Sequence, residues 1–280
     1  MLFTSATKLK AWIKNKSKQT NIPADVLYKI FMLERLLERI ALSKYRSNLI
    51  IKGGFLIASM IGIDLRSTMD MDTTIKNIEL NRNIIIDIMN EIIGINIDDG
   101  ISFVIRSVKD IHEESEYDDF RMILLARFYN IKVYVQVDFT TGHVVIPNEI
   151  EYSYKLMFED RTIPIMAYNL DTIFAEKIEA ILSRHIDSTR MRDYYDVYIL
   201  ILLNKEKIQR DKILNAVRIK AKERDTLEHI NGYKEHLLNI SNSPEMQKRW
   251  ENYVQDYPYA DGIEFLSIIK VITWLFEGEN

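Results

Sequence analysis

The 280-residue sequence contains no cysteine. Disulfides, thiolate metal sites and a cysteine nucleophile are excluded together, and the composition suits the reducing cytoplasm. Histidine is sparse: the five histidines, His112, His143, His185, His229 and His236, show no zinc-like clustering, although His229 and His236 could sit two helical turns apart. Hard oxygen ligands are the metal chemistry left, which points to Mg²⁺, Ca²⁺ or Mn²⁺. Long apolar runs are also lacking. The run Val197–Leu203 falls far short of the roughly 18 residues that span a bilayer, so no membrane partner is expected. Lysines at the N-terminus are scattered among apolar residues, unlike a secretory signal. No overall basic excess exists either, the net charge being −4.

What is present is an ordinary globular composition, 47% hydrophobic and 28% charged, long enough for two cores. Charge is distributed unevenly. Lys8, Lys10, Lys14, Lys16 and Lys18 come before any acid, and a second basic stretch runs from Lys205 through Lys212, Arg218 and Lys220 to Arg224 with acids interspersed. Each reads either as a solvated helix face or as a footprint for a nucleic-acid backbone.

The periodicity predicts a helix over 6–19, a long amphipathic helix to about Arg46, a short buried strand at Leu49-Ile50-Ile51 and a short helix over Phe55–Met60. Strands follow at Thr68–Ile75, Ile101–Val108, Met122–Tyr129, Ile131–Phe139 and Thr162–Ala167, with a helix capped by Asn81 and a hairpin turn at Asn130. An acidic loop is expected at His112–Asp119, and loop or edge strand at Thr140–Pro147. After Asn169 everything reads as helix, near 170–184, 190–203, 206–223, 226–239, 244–255 and 262–276. The fold class expected is α+β and bilobed: a mixed-sheet lobe over residues 1–160 and an all-helical lobe over 161–280.

The densest feature is Gly53-Gly54, a short helix, then Arg66-Ser67-Thr68-Met69-Asp70-Met71-Asp72. Strand residues two apart share a face, so Asp70 and Asp72 project together. Adjacent carboxylates repel, and divalent metal ions remove that cost; two-metal sites use such acids in phosphoryl transfer. Gly53-Gly54 is either a simple tight turn or a place where backbone N–H groups face an anion. Asp138 ends an otherwise apolar strand. It completes a three-carboxylate site if that strand neighbours the first, and is otherwise a loop or cap residue. Downstream, Lys177 borders the apolar stripe Leu170, Phe174, Ile178 and Ile181. Arg190, Arg192, Asp193 and Asp196 crowd seven residues, with Asp193 and Asp196 on one helical face and Arg192 placed to pair with Asp196. A structural charge network and substrate contact both explain that cluster.

Taken in order, these pieces resemble the AbiE-type toxin family (AbiEii-like), nucleotidyltransferases of bacterial toxin–antitoxin and phage-abortive-infection systems within the DNA-polymerase-β-like superfamily. The first motif, Gly-Ser or Gly-Gly before a helix and then Asp-x-Asp, is matched by Gly53, Gly54, Asp70 and Asp72, with Arg66 and Ser67 ahead. Asp138 matches the strand acid of the second motif. Lys177-Ile178-Glu179-Ala180-Ile181 is similar to the third, and Arg190, Arg192, Asp193 and Asp196 to the fourth. Gly54 replaces the serine of the stricter motif, and Arg192 replaces a lysine, keeping charge while changing geometry.

The resemblance implies a polymerase-β-like nucleotidyltransferase lobe and transfer of a nucleoside monophosphate from an NTP, with Mg²⁺ or Mn²⁺ as cofactor. Asp70 and Asp72 would bind metal ions, with Asp138 a third ligand or the base for an incoming hydroxyl. Gly53 and Gly54, with Arg66 and Ser67 beside them, would hold the nucleotide's triphosphate, and Lys177 would contact phosphate. Arg190, Arg192, Asp193 and Asp196 would position nucleotide or acceptor. The implied acceptor is RNA, with the 3′ end of tRNA favoured. The protein is expected to act as a monomer, beside an antitoxin that need not touch it. Two other readings remain: a nucleotide-binding regulator without transfer, and transfer onto a protein hydroxyl.

Overall fold

In the computed structural model, which describes residues 3–111, 119–142 and 144–278, Ser5 opens the first helix, α1 (Ala6–Thr20), by accepting a hydrogen bond from the Lys8 N–H at 3.3 Å. Of the expected acidic loop, residues 112–118 lie outside the described residues, as does His143. α1 buries Leu9 and Ile13 and leaves its lysines outward. Next comes α2 (Ala24–Leu42), whose apolar period is as expected but which is buried on nearly every side rather than amphipathic. Its two buried arginines are paired with acids, and its buried glutamate is held by a hydrogen bond. Arg39 forks onto Asp99 at 2.8 and 2.9 Å, Arg35 reaches Glu159 at 2.7 Å, and Glu34 accepts from the Met157 N–H at 2.8 Å.

The remaining elements of the first half are β1 (Leu49–Lys52), α3 (Gly53–Ile61), β2 (Asp70–Ile75), α4 (Arg82–Ile93), β3 (Ile101–Asp110), β4 (Phe120–Phe128), β5 (Ile131–Thr140), β6 (Ile150–Lys155) and β7 (Thr162–Ala167). The strands form one mixed seven-stranded sheet in the order β3-β4-β5-β2-β1-β7-β6. β2 runs parallel to β5 and β1 parallel to β7, while the other pairs are antiparallel. The β4–β5 hairpin turns at Tyr129-Asn130, with Tyr129 in the left-handed region at φ 52°. β6 has no counterpart in the expected strands: it is an edge strand whose sequence, Ile150-Glu-Tyr-Ser-Tyr-Lys, carries too little apolar pattern to announce itself.

Helices α5 (Leu170–Arg184), α6 (Met191–Asn204), α7 (Arg210–Glu223), α8 (Leu227–Asn231), α9 (Tyr233–Asn242), α10 (Pro244–Asp256) and α11 (Phe265–Glu277) complete the chain. The segment expected as one helix over 226–239 is two, broken at Gly232. The chain divides into two compact units: Met1–His143 with Glu149–Tyr168, and Val144–Asn148 with Asn169–Asn280. β7 belongs with the sheet because it pairs with β1 and β6. The short stretch Val144–Asn148 belongs with the helices: the Ile146 N–H donates to Thr172 Oγ1 and Asn169 Nδ2 to the Ile146 carbonyl, both at 2.9 Å. Trp250, Tyr194, Tyr195, Phe174 and Phe265 fill the helical core. Among the described residues no helix is long and apolar enough to cross a membrane.

Candidate active site

The alternation in β2 buries Met71 and Thr73 and leaves Asp70 and Asp72 half-buried on the opposite face. Pairing then decides their company. Lys52 of β1 lies opposite Asp72, Asp72 lies beside Asp138 of β5, and Asp138 lies opposite Arg121 of β4. Paired residues share a sheet face. A row of four charges therefore crosses four adjacent strands, two carboxylates flanked by a lysine and an arginine. Asp70 adds a third acid one step along, beside Gln136.

Both flanking cations are held in place. Lys52 is buried, donates from Nζ to Thr140 Oγ1 at 2.8 Å and lies 5.6 Å from the Tyr168 ring centroid. Tyr168 in turn meets Thr74 at 2.7 Å. Arg121 forks onto Asp138, Nε to Oδ1 at 3.0 Å and Nη2 to Oδ2 at 2.8 Å. Gln136 Nε2 adds a longer bond to Oδ2 at 3.3 Å. The bond to Asp138 raises the Arg121 pKa; partial burial opposes it, and the fields of Asp138, Asp70 and Asp72 reinforce it. Among the described residues no three acid or histidine side chains converge as a ready-made metal cage.

Helix α3 begins at the glycines themselves, not at Phe55. Gly53 has φ +66°, and a Cβ there would overlap Asp72 Oδ2 and fall 2.7 Å from Asp72 Cγ. The Asp72 carboxylate thus packs against the first residue of a helix, the end where anions are favoured. A Cβ at Gly54 would fall 2.5 Å from Arg66 Nη2 and 3.1 Å from Thr68 Oγ1. Arg66 is buried, and its Nη1 donates to the Ser67 carbonyl at 2.6 Å. Its guanidinium occupies the space into which a Cβ at position 54 would project.

The second cluster lies within the helical unit. Lys177 of α5 bonds Asp193 Oδ1 and Asp196 Oδ2 of α6, each at 2.7 Å, and all three side chains are almost wholly buried. Burial works against the Lys177 charge, but the two acids outweigh it and raise its pKa. Asp193 is likewise lowered: burial opposes, and Lys177 and Arg190 prevail. Arg190, largely exposed, bonds the other Asp193 oxygen through Nε at 2.8 Å. Arg192 does not serve Asp196 as the i+4 spacing suggests. It donates to Tyr257 Oη at 2.8 Å and stacks 5.1 Å from that ring.

Two further side-chain groupings differ from the sequence reading. His185, His229 and His236 do gather, with ring centroids 4.5 Å apart for His185–His236 and 5.3 Å for His229–His236. Burial lowers the His236 pKa, with the other two histidines adding to the effect. Lys220, counted in the second basic stretch, is buried against the Val144 carbonyl and Glu223.

The family model described as "Nucleotidyl transferase AbiEii toxin, Type IV TA system" matches residues 35–271. The chain belongs to this family. The AbiEii match embraces both charge clusters, and the family is one of nucleotidyltransferase toxins of toxin–antitoxin systems, so an NTP substrate is implied. Two solved structures are similar. JHP933 from Helicobacter pylori matches with TM-score 0.50 and 14% identity over 91% of this chain and 93% of that one. A candidate nucleotidyltransferase from H. pylori matches with TM-score 0.49 and 14% identity over 91% and 96%. At that identity the JHP933 likeness speaks to the fold alone. No curated protein sequence matches the chain.

Sequence reasoning missed Arg121 and Lys52 in this candidate site. Arg121 was within reach of it: a two-residue turn at Tyr129-Asn130 places Arg121 opposite Asp138 by counting back along the hairpin.

Proposed function

We propose that this AbiEii-family protein is a Mg²⁺-dependent nucleotidyltransferase that moves a nucleoside monophosphate from an NTP to an RNA hydroxyl, the 3′ end of tRNA being the favoured acceptor, and arrests growth by doing so. The observation that carries the reading is the placement of Asp70 and Asp72 on one face of β2, with Asp72 seated against Gly53 at the start of α3.

The donor set fits Mg²⁺. That ion keeps several waters and is commonly held by one or two carboxylates together with substrate phosphates, so a complete protein cage is not required. Asp70 and Asp72 would hold the ion, and Mn²⁺ could replace it. When bound, the metal neutralises charge developing on the phosphate oxygens. The acceptor hydroxyl attacks the α-phosphorus, its proton passes to solvent, and pyrophosphate leaves. The first N–H groups of α3, at Gly53 and Gly54, would meet the triphosphate. Arg66 and Ser67 would support that turn from beneath. In the helical unit, Lys177 holds Asp193 and Asp196 in register, Asp193 orients the exposed Arg190 guanidinium, and Arg192 stacks on Tyr257; an oriented, exposed guanidinium is a group suited to phosphate.

An RNA acceptor is supported by α1. Among the described residues, none of Lys8, Lys10, Lys14, Lys16 or Lys18 is tied down in an ion pair, and four of the five are exposed. Lysines without local counter-charges are what a phosphate backbone displaces counterions to meet. The test is incubation with total RNA, Mg²⁺ and each α-labelled NTP in turn. Label should enter tRNA-sized RNA with one NTP preferred, and chelation should stop it. No incorporation from any NTP by folded protein would count against the proposal.

A further inference from the structure

The sheet face that carries the acids continues past them. Along β5, β4 and β3 the ladders set side chains on that face in rows about 7 Å apart. Asp138, Arg121 and Lys109 form the row beside the Asp70–Asp72 strand. Two rows further on stand Tyr134, Leu125 and Val104, and Lys132 faces Arg127 in the row after that. Tyr134 is 59% exposed and Val104 39%, with buried Leu125 between them. Arg127 and Lys132 are exposed, as is Arg106, which a register shift inserts into β3. Asp138 is the one acid that these three strands turn to this side, and Arg121 already pairs with it; Asp110 lies opposite buried Phe120 on the other face. Among the described residues none of Arg106, Arg127 and Lys132 is in an ion pair, and Tyr134 has neither a ring partner nor a hydrogen bond.

We propose that this β3–β4–β5 face is the track on which unpaired RNA lies as its 3′ end reaches Asp70 and Asp72, with a base stacked on Tyr134 and phosphates on Arg127 and Lys132. The inference rests on the RNA acceptor proposed above and gives it a docking surface. Charge supports it, because cations without local counter-charges suit a polyanion, whereas a merely solvated face mixes both signs. Lys109 is followed in sequence by Glu113, Glu114, Glu116 and Asp118, so the weight falls on the far row, Arg127 and Lys132. The tyrosine decides between kinds of RNA. A duplex keeps its bases stacked inside, but an unpaired base can lie flat on an exposed ring, as it does on other sheet platforms that bind single strands. Continuity completes the case. Tyr134 and Asp138 are four residues apart on one strand, ~14 Å, so RNA laid along β5 meets the acids without leaving the sheet.

The experiment is fluorescence anisotropy of a short 5′-labelled single-stranded RNA, and of its blunt duplex, titrated with the full chain at several salt concentrations. Circular dichroism confirms that each variant is folded. Wild type should prefer the single strand. Tyr134→Ala should weaken single-strand binding by about fivefold or more, the loss of one base–aromatic stack, and leave duplex binding unchanged. Tyr134→Phe should bind as wild type does, because the ring remains. Replacing Arg127 and Lys132 together by alanine should flatten the slope of log Kd against log salt by about 1.4, near 0.7 per phosphate contact on a single strand. The inference is overturned if the duplex binds as well as the single strand, if Tyr134→Ala binds like wild type, or if the double variant keeps the wild-type slope. RNA would then dock elsewhere, and the transfer reaction proposed above would stand. Tighter binding of poly-L-glutamate than of RNA, lost in the double variant, would assign the face to an acidic protein and also overturn it. Failure of folded wild type to bind either RNA at low salt would instead remove the RNA acceptor, and this surface with it.

Discussion

Replacing Gly53 by alanine tests the seam between helix α3 and the acid pair. Two costs act at once. An L-residue held at φ +66° pays about 1–2 kcal/mol for the left-handed conformation. The new Cβ would also overlap Asp72 Oδ2 and lie 2.7 Å from its Cγ and 2.9 Å from its Cβ, so the carboxylate must move. Forcing an extra carbon into filled space costs ~1–3 kcal/mol. Gly53→Ala should therefore destabilise the sheet unit by about 2–5 kcal/mol, measured by urea denaturation at pH 7. Transfer should fall about 100-fold, because a misplacement near 1 Å is enough for that. A double-mutant cycle separates the two costs. In an Asp72→Ala background the two nearest atoms are gone, and the cost of Gly53→Ala should shrink toward the ~1–2 kcal/mol of backbone strain. Equal costs in both backgrounds would show that Asp72 does not rest on Gly53, and a stable, active Gly53→Ala would refute the reasoning altogether.

Glu34 offers a pH-dependent test. Burial, opposed by the Met157 N–H, Arg35 and Tyr154, lifts its pKa from 4.5 to about 7. A raised folded-state value means that stability is complete below pH 4.5 and is lost as pH rises through 7, by about 3 kcal/mol at 1.36 kcal/mol per unit. Glu34→Gln removes this dependence, so its stability relative to wild type should improve by about 2–3 kcal/mol between pH 5 and pH 8; a difference constant with pH would contradict the assignment. On α1, replacing Lys10, Lys14 and Lys18 by alanine should weaken RNA binding and flatten the salt dependence of log Kd by about 2–3, near 0.7–0.9 per lost phosphate contact. An unchanged slope would mean that this face is only solvated.

How much of this was legible in the amino-acid order depends on the distance over which each feature is made. The shared face of Asp70 and Asp72 follows from the strand period alone, and the burial alternation of β2 bears it out. Adjacency of Asp72 and Asp138 does not, because β2 and β5 are separated by two strands and a helix and pair in parallel. The sequence could pose that neighbour relation only as a condition. Arg121 opposite Asp138 was decipherable from the hairpin count. The edge strand β6 was hidden by its polar composition, and the surroundings of α2 by its buried Glu34, Arg35 and Arg39, which imitate a solvent face. The sequence placed Lys177 beside an apolar stripe but could not name its partners; Asp193 and Asp196 sit on the next helix, where only packing could place them. The gathering of His185 with His229 and His236 is likewise a product of tertiary packing.

The most direct test of the central claim is to follow label transfer to RNA and pyrophosphate release together, in Mg²⁺, for the wild-type protein and for Asp72→Asn. The account predicts that wild type yields one pyrophosphate for each nucleotide added, and that the folded variant yields neither product. Undiminished transfer by Asp72→Asn would contradict it.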